Sequence, residues 1–139
     1  MPIRDIAATE VVTAARTDSV TDVAETMADE HVGSVVVEEE SLPIGIVTDR
    51  QIATELGDDP ELGYEHVDEI MTRDVMTIDA DAGVYQAAQA LADEGVRRAP
   101  LVDDDEELVG LVSLDDILYT LEEEFDAVGD ILEAQSPRA

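Results

Sequence analysis

Two stretches of this chain put a hydroxyl at a helix start. In Gly110-Leu111-Val112-Ser113-Leu114-Asp115-Asp116, an apolar run ends at Ser113 and a carboxylate follows three residues later. Ser-x-x-Asp is close to a capping box, which ties up the free amides of a first helical turn. The same geometry serves a nucleotide: hydroxyl and amides suit a phosphate, and a carboxylate one turn in suits a ribose diol. Spacing alone leaves both readings open. The second stretch, Gly45-Ile46-Val47-Thr48-Asp49-Arg50-Gln51, has Gln51 where the first has Asp116. A glutamine still caps and still bonds a hydroxyl, but it lacks the charge that makes a carboxylate a strong acceptor. Arg97-Arg98 is an adjacent basic pair in a chain with seven basic residues, all arginine. It either pairs with nearby acid or forms an anion site, since arginine forks match phosphate oxygens. Pro100 follows within the next apolar run. A proline there marks an edge or a bulge; it is either plain topology or backbone exposed to an adenine edge.

Other chemistries find no residues. Without cysteine there is no disulfide framework, thiol nucleophile or Cys-ligated metal. His31 and His66 stand alone, and no His/Asp/Glu cluster has metal-ligand spacing, so no metal site is expected. Neither a Gly-x-Ser-x-Gly elbow nor a P-loop occurs. Carboxylate pairs are everywhere by composition and carry no catalytic signal. No catalytic residue is assigned, and the chain is read as not an enzyme.

The elements that must position these residues come from an internal repeat. Residues 11–38 fall on 75–102 at an offset of 64, with identities from Thr13/Thr77 to Val32/Val96. One inserted residue near Asp103–Glu107 changes the offset to 65, and Gly45/Gly110, Val47/Val112, Ile52/Ile117 and Leu56/Leu121 follow. Val20, Val23, Ala24, Met27 and Val84, Ala87, Ala88, Leu91 both read i, i+3, i+4, i+7, one face of a helix. Ser19 or Asp18 caps the first, and Gly95 ends the second. Strands are expected at Val11–Thr13, Val35–Glu38 and Ile44–Val47, and again at Val75–Ile78, Ala99–Val102 and Leu108–Val112. Second helices run from about Asp49 to Leu56 and from about Leu114 to Leu121. The fold class is α/β (α+β), two β-α-β-β-α units about a pseudo-twofold axis, joined by a polar link at Gly57–His66. Ile3–Ala7 resembles Val67–Met71, an apolar-spaced turn before each first strand. The tail Glu122–Ala139 has a partial apolar stripe, as of a helix packing on the module or on a second subunit.

With 36 acidic residues against seven arginines, the net charge is −29. Such a chain strains its own compact state unless salt shortens the Debye length, about 3 Å at 1 M against about 8 Å at 0.15 M. The charge reads as adaptation to molar intracellular salt, as in extreme halophiles. A nucleic-acid mimic is the weaker reading, because a mimic needs no internal repeat. Direct binding of nucleic acid is disfavoured, since counterion release needs many cations on one face. No apolar run approaches the ~18 residues of a membrane helix. No signal pattern opens the chain, and the expected location is cytoplasmic.

The duplicated order, each copy ending in Gly-h-h-Thr/Ser-x-x-(Gln/Asp), resembles the paired cystathionine β-synthase (CBS) domain module, or Bateman module. Val96-Arg97-Arg98-Ala99-Pro100-Leu101-Val102 is similar to the family's Val-Arg-Arg-x-Pro-Val stretch. His31-Val32-Gly33-Ser34-Val35-Val36-Val37 is similar to its Val-Gly-Ser-Val-Val-Val variant. The resemblance implies a first CBS domain at 1–57, a linker at 58–66, a second CBS domain at 67–121 and a helical tail at 122–139. It implies two clefts between the copies and an adenosine ligand: AMP, ADP, ATP or S-adenosylmethionine, with no required cofactor. By the same resemblance Asp116 holds the ribose, Ser113 meets phosphate, Arg97 and Arg98 neutralise it, and Ile78 and Pro100 border the base. Thr48 matches the hydroxyl in copy one, Gln51 departs from the acid, and Gly33-Ser34 stand opposite Arg97-Arg98. One good site, set by Asp116, and one doubtful site are implied. So are a homodimer and a regulated partner protein of unknown identity. The alternative is a structural dimerisation or scaffold module with vestigial clefts.

Overall fold

The computed structural model describes residues 1–135; the end of the expected tail, residues 136–139, lies outside them. The first repeat runs β1 (Thr13–Ala15), α1 (Val20–Glu30), β2 (Ser34–Glu39), β3 (Leu42–Thr48) and α2 (Asp49–Asp58). A two-residue strand, β4 (Thr72–Arg73), precedes the second repeat: β5 (Ile78–Asp79), α3 (Val84–Glu94), β6 (Arg98–Val102), β7 (Leu108–Ser113) and α4 (Leu114–Ala134). One sheet is ordered β1-β2-β3-β4 and the other β5-β6-β7. In each the short first strand pairs parallel with the next, and the other pairings are antiparallel.

Local chemistry explains the helix limits. The Ser19 hydroxyl caps α1 by accepting from the Asp22 amide at 3.1 Å, while Asp18 accepts from the Ala15 amide and shapes the turn before it. Gly95 ends α3 at φ 67°, and His31 ends α1 in the same left-handed region at φ 56°. Glycine bears that conformation without the crowding a Cβ meets.

Three expectations need correction. The first strands begin later than the apolar runs suggest, at Thr13 rather than Val11 and at Ile78 rather than Val75. Val12 packs on the first core and Met76 on the second, and Val12 still accepts from Val36 N–H at 3.1 Å, so the apolar runs extend beyond the paired strands on their way into the cores. The link is not merely polar. It contains a 3-10 turn, Leu62–Tyr64, whose Leu62 is buried, and the Gly63 carbonyl accepts from the Thr21 hydroxyl at 2.9 Å. Lastly, the tail is no separate element, since α4 continues unbroken to Ala134. Phe125, Val128, Ile131 and Leu132 are exposed, so it does not pack on its own module.

The covalent repeats and the packing units do not coincide. The core of the first repeat, around Val23, Val35, Val37 and Val47, is completed by Val67 and Met71 from the segment leading into the second. The core of the second, around Leu91, Leu101, Val112 and Ile117, is completed by Ile3. The backbone bonds that hold the two leading segments are the same. Ile3 N–H donates to Ala82 and Val67 N–H to Asp18, both at 2.7 Å; Arg4 N–H donates to Ala80 and Asp68 N–H to Arg16, both at 3.2 Å. Ala8 and Leu111 exchange backbone bonds as β4 does with β3. Each donor and acceptor is 64 or 65 residues from its counterpart, so the pseudo-twofold axis is visible bond by bond.

Two predictions follow from this packing and charge. Ile3→Ala removes a fully buried side chain from the second core and should cost about 2–5 kcal/mol. Urea unfolding in molar KCl reads this loss, and a change below about 1 kcal/mol would mean the opening segment does not hold the second repeat. At the link, the Glu65 carboxyl titrates above its ordinary range, through desolvation first, then the charge and hydrogen bond of Asp59 and the charges of Glu69 and Glu55. The folded state therefore favours protonated Glu65, and ionisation costs stability as pH rises through that raised pKa. Glu65→Gln should raise the melting temperature at neutral pH in dilute salt and do less in molar KCl; an equal effect in both salts would exclude charge repulsion.

Candidate functional site

The two Gly-x-x-(Thr/Ser) motifs are built alike. The Thr48 hydroxyl accepts from the Gln51 amide at 3.2 Å, and the Gln51 side-chain carbonyl accepts from Thr48 N–H at 2.8 Å. In the second repeat Ser113 accepts from Asp116 N–H at 3.2 Å, and Asp116 Oδ2 accepts from Ser113 N–H at 2.9 Å. Both are capping boxes, so the structural role of these residues is real. What each motif has left differs. The Gln51 amide donates to the Thr72 hydroxyl at 2.9 Å, so the hydroxyl it meets belongs to β4. Asp116 uses one carboxylate oxygen; Oδ1 has no protein partner among the described residues. The motif glycines let the exchanged segments pass. A Cβ on Gly45 would lie 2.9 Å from the Thr72 carbonyl, and one on Gly110 would lie 3.1 Å from that of Ala8.

Between the repeats lies a cleft of about 660 Å³, within the range of small-molecule sites. Thr48, Asp49, Arg50 and Gln51 form one wall. Arg97, Arg98 and Glu94 form the other, Thr72 and Asp74 close it, and Ile46, Val75, Met76 and Val96 supply apolar surface. Three arginines face three carboxylates, so the lining is formally neutral in a chain of net charge −29. Arg97 leans on Asp115 at 3.4 Å, an exposed pair. Arg98 is half-buried and, among the described residues, has no carboxylate within ion-pair distance.

The structure thus brings Thr48, Gln51, Arg97 and Arg98 together and leaves Ser113 and Asp116 out of this cleft. The pseudo-twofold axis accounts for the separation. It carries Thr48 and Gln51 onto Ser113 and Asp116, Arg97 and Arg98 onto Gly33 and Ser34, and Val75 and Met76 onto Val11 and Val12. Asp49 N–H donates to the Gly33 carbonyl and Leu114 N–H to the Arg97 carbonyl, the same bond in each half. Ser34 pairs with Thr48 in the β2–β3 ladder as Arg98 pairs with Ser113 in β6–β7. The residues matching the arginine cleft include Asp115, Asp116, Glu10 and Glu30, with no basic residue.

Ile78 and Pro100 do not line this cleft; both are buried, and Ile78 belongs to the second core. Pro100 lies within β6, the middle strand of its sheet, rather than on an edge strand. It is tolerated because β5 pairs only from Leu101 onward, leaving Leu111 of β7 as its partner. The apolar lining comes instead from Ile46, Val75, Met76 and Val96, and Arg50 adds a third cation that sequence reasoning did not single out. The repeat offset holds a signal for them, since Val75-Met76 sits on Val11-Val12 just before each first strand.

Paired α/β repeats exchanging their leading segments around a cleft describe a CBS domain pair. The CBS domain family model matches residues 3–58 and again 67–123, so the chain belongs to the CBS domain family. It is 34% identical to protein MK0525 of Methanopyrus kandleri, over 88% of this chain and 67% of that one. With CBS domain-containing protein YhcV of Bacillus subtilis it shares 30% identity, over 83% and 81%. Among solved structures, the CBS domain pair of protein MJ0100 in complex with 5′-methylthioadenosine and S-adenosyl-L-methionine superposes with a TM-score of 0.79. Identity there is 26%, over 89% of this chain and 98% of that one. A hexameric CBS-CP12 protein from bloom-forming cyanobacteria matches with a TM-score of 0.75 and 26% identity, over 96% and 86%. No helix among the described residues is long and apolar enough to cross a membrane.

Gln51→Ala should remove the cap and the tie to Thr72 together, costing about 1 kcal/mol by the usual worth of a helix cap. Urea unfolding in molar KCl measures it; no loss would mean the β4 contact holds without Gln51.

Proposed function

We propose that this chain is a regulatory module that binds adenosine ligands between its CBS repeats and passes their occupancy to a partner protein. Arg98, half-buried and without a carboxylate partner among the described residues, in a formally neutral cleft carries the reading. A chain this acidic keeps three arginines around one cavity, and guanidinium forks suit phosphate. The arginine cleft takes the phosphate-bearing ligands, AMP, ADP or ATP. The matching cleft offers Asp116 with a free oxygen and no cation of its own; it holds a ribose diol of an uncharged or cationic nucleoside, of the 5′-methylthioadenosine and S-adenosylmethionine kind. The complex of the MJ0100 pair supports an adenosine ligand of that second type. Binding regulates only by favouring one arrangement of the repeats over another. The acidic surface suits this module to molar salt, where the long-range repulsion between protein and nucleotide is screened.

Thermal unfolding in about 2–3 M KCl with each ligand in turn tests the proposal. A ligand at 100 times its dissociation constant adds about 2.7 kcal/mol, a readable shift. Arg98→Ala should weaken AMP at least tenfold and spare 5′-methylthioadenosine, and Asp116→Ala should do the reverse. No shift with any ligand would replace this reading with a scaffold whose clefts are vestigial, which the locked Gln51–Thr72 bond favours for the first cleft.

A further inference from the structure

Helix α4 spans 21 residues, and of its side chains only Ile117 is buried. Its exposed apolar residues Leu118, Leu121, Phe125, Val128 and Leu132 are spaced three, four, three and four apart. That is the a/d seam by which one helix packs against another. The acids on this segment avoid the seam: Glu123, Asp126, Asp130 and Glu133 lie more than about 100° around the helix from it. Only Glu122 and Glu124 flank the seam in the first heptad, whereas the matching flanks of the second hold Gly129 and Ile131.

We infer that this extension is a self-complementary seam that pairs antiparallel with the same segment of a second copy. Set antiparallel, Phe125 lies beside Val128 of the second copy and Leu121 beside its Leu132. Like flanks then meet, so Glu122 lies beside Gly129 and Glu124 beside Ile131, and no acid opposes an acid. A parallel pair would put Glu122 on the flank that carries the other Glu124. The paired stretch, residues 121 to 132, is about 16 Å long at 1.5 Å per residue. The end of the second helix then reaches Leu118 and Tyr119, which are exposed on the module itself, 53% and 64%. Outward-facing acids make the pairing tighter in molar salt.

The full chain tests this in about 2 M KCl, where the acids are screened. Leu121→Cys and Leu132→Cys proteins, oxidised as a mixture, should form a mixed disulfide with each other, and neither should cross-link alone; self-cross-linking of either would overturn the antiparallel register. Phe125→Asp should halve the sedimenting mass while leaving the melting temperature within a few degrees, because Phe125 touches no core. An unchanged mass in that variant, or a monomeric parent chain, would overturn the inference.

Discussion

The exchange of leading segments between the repeats is the constraint on which the rest depends. Ile3 fills the second core and Val67 the first, so neither repeat closes without a piece of chain that belongs in sequence to the other. This exchange requires Gly45 and Gly110, because β4 and Ala8 pass where a Cβ would stand. It also brings Thr72, Val75 and Met76 to the helix start at Thr48. The cleft is a by-product of core completion, because the segments that finish the cores also supply its lining.

Charge is the second organising force. The chain's acids are spread over its length, yet the arginine cleft is balanced. Duplication supplies two equivalent places, and substitution has made them unlike. One has three arginines and a glutamine whose polar ends are both used. The other has glycine, serine and a carboxylate with an oxygen to spare. The fold is symmetric to within 64 or 65 residues of offset, while the electrostatics are not, so selectivity between ligands of different charge can arise from one fold.

Much of this was legible in the residues. The period of the apolar positions, the caps at Ser19, Thr48 and Ser113 and the stop at Gly95 depend on neighbours within a turn or two. Local chemistry therefore placed the helix starts and most strands within a residue or two, while α4 outran its expected end at Leu121 and continued to Ala134. The family was legible because its motifs recur in order. The duplication also suggested arginines set against the small residues Gly33 and Ser34, but across the cleft Arg97 and Arg98 meet Thr48 to Gln51 instead.

Which residues share a cleft was decided by tertiary structure alone. Arg97 and Arg98 stand nearer in sequence to Asp116 than to Gln51, yet they line the cleft of Gln51. Ile78 and Pro100 read as a ligand border and are buried residues. Val11 and Val75 read as strands and stand just ahead of them. These differences share one cause. Sequence by itself determined what each segment becomes, because capping and periodicity act over a few residues; partnership across the pseudo-twofold axis depends on an exchange of segments some sixty residues apart, which only the closing of two cores decides.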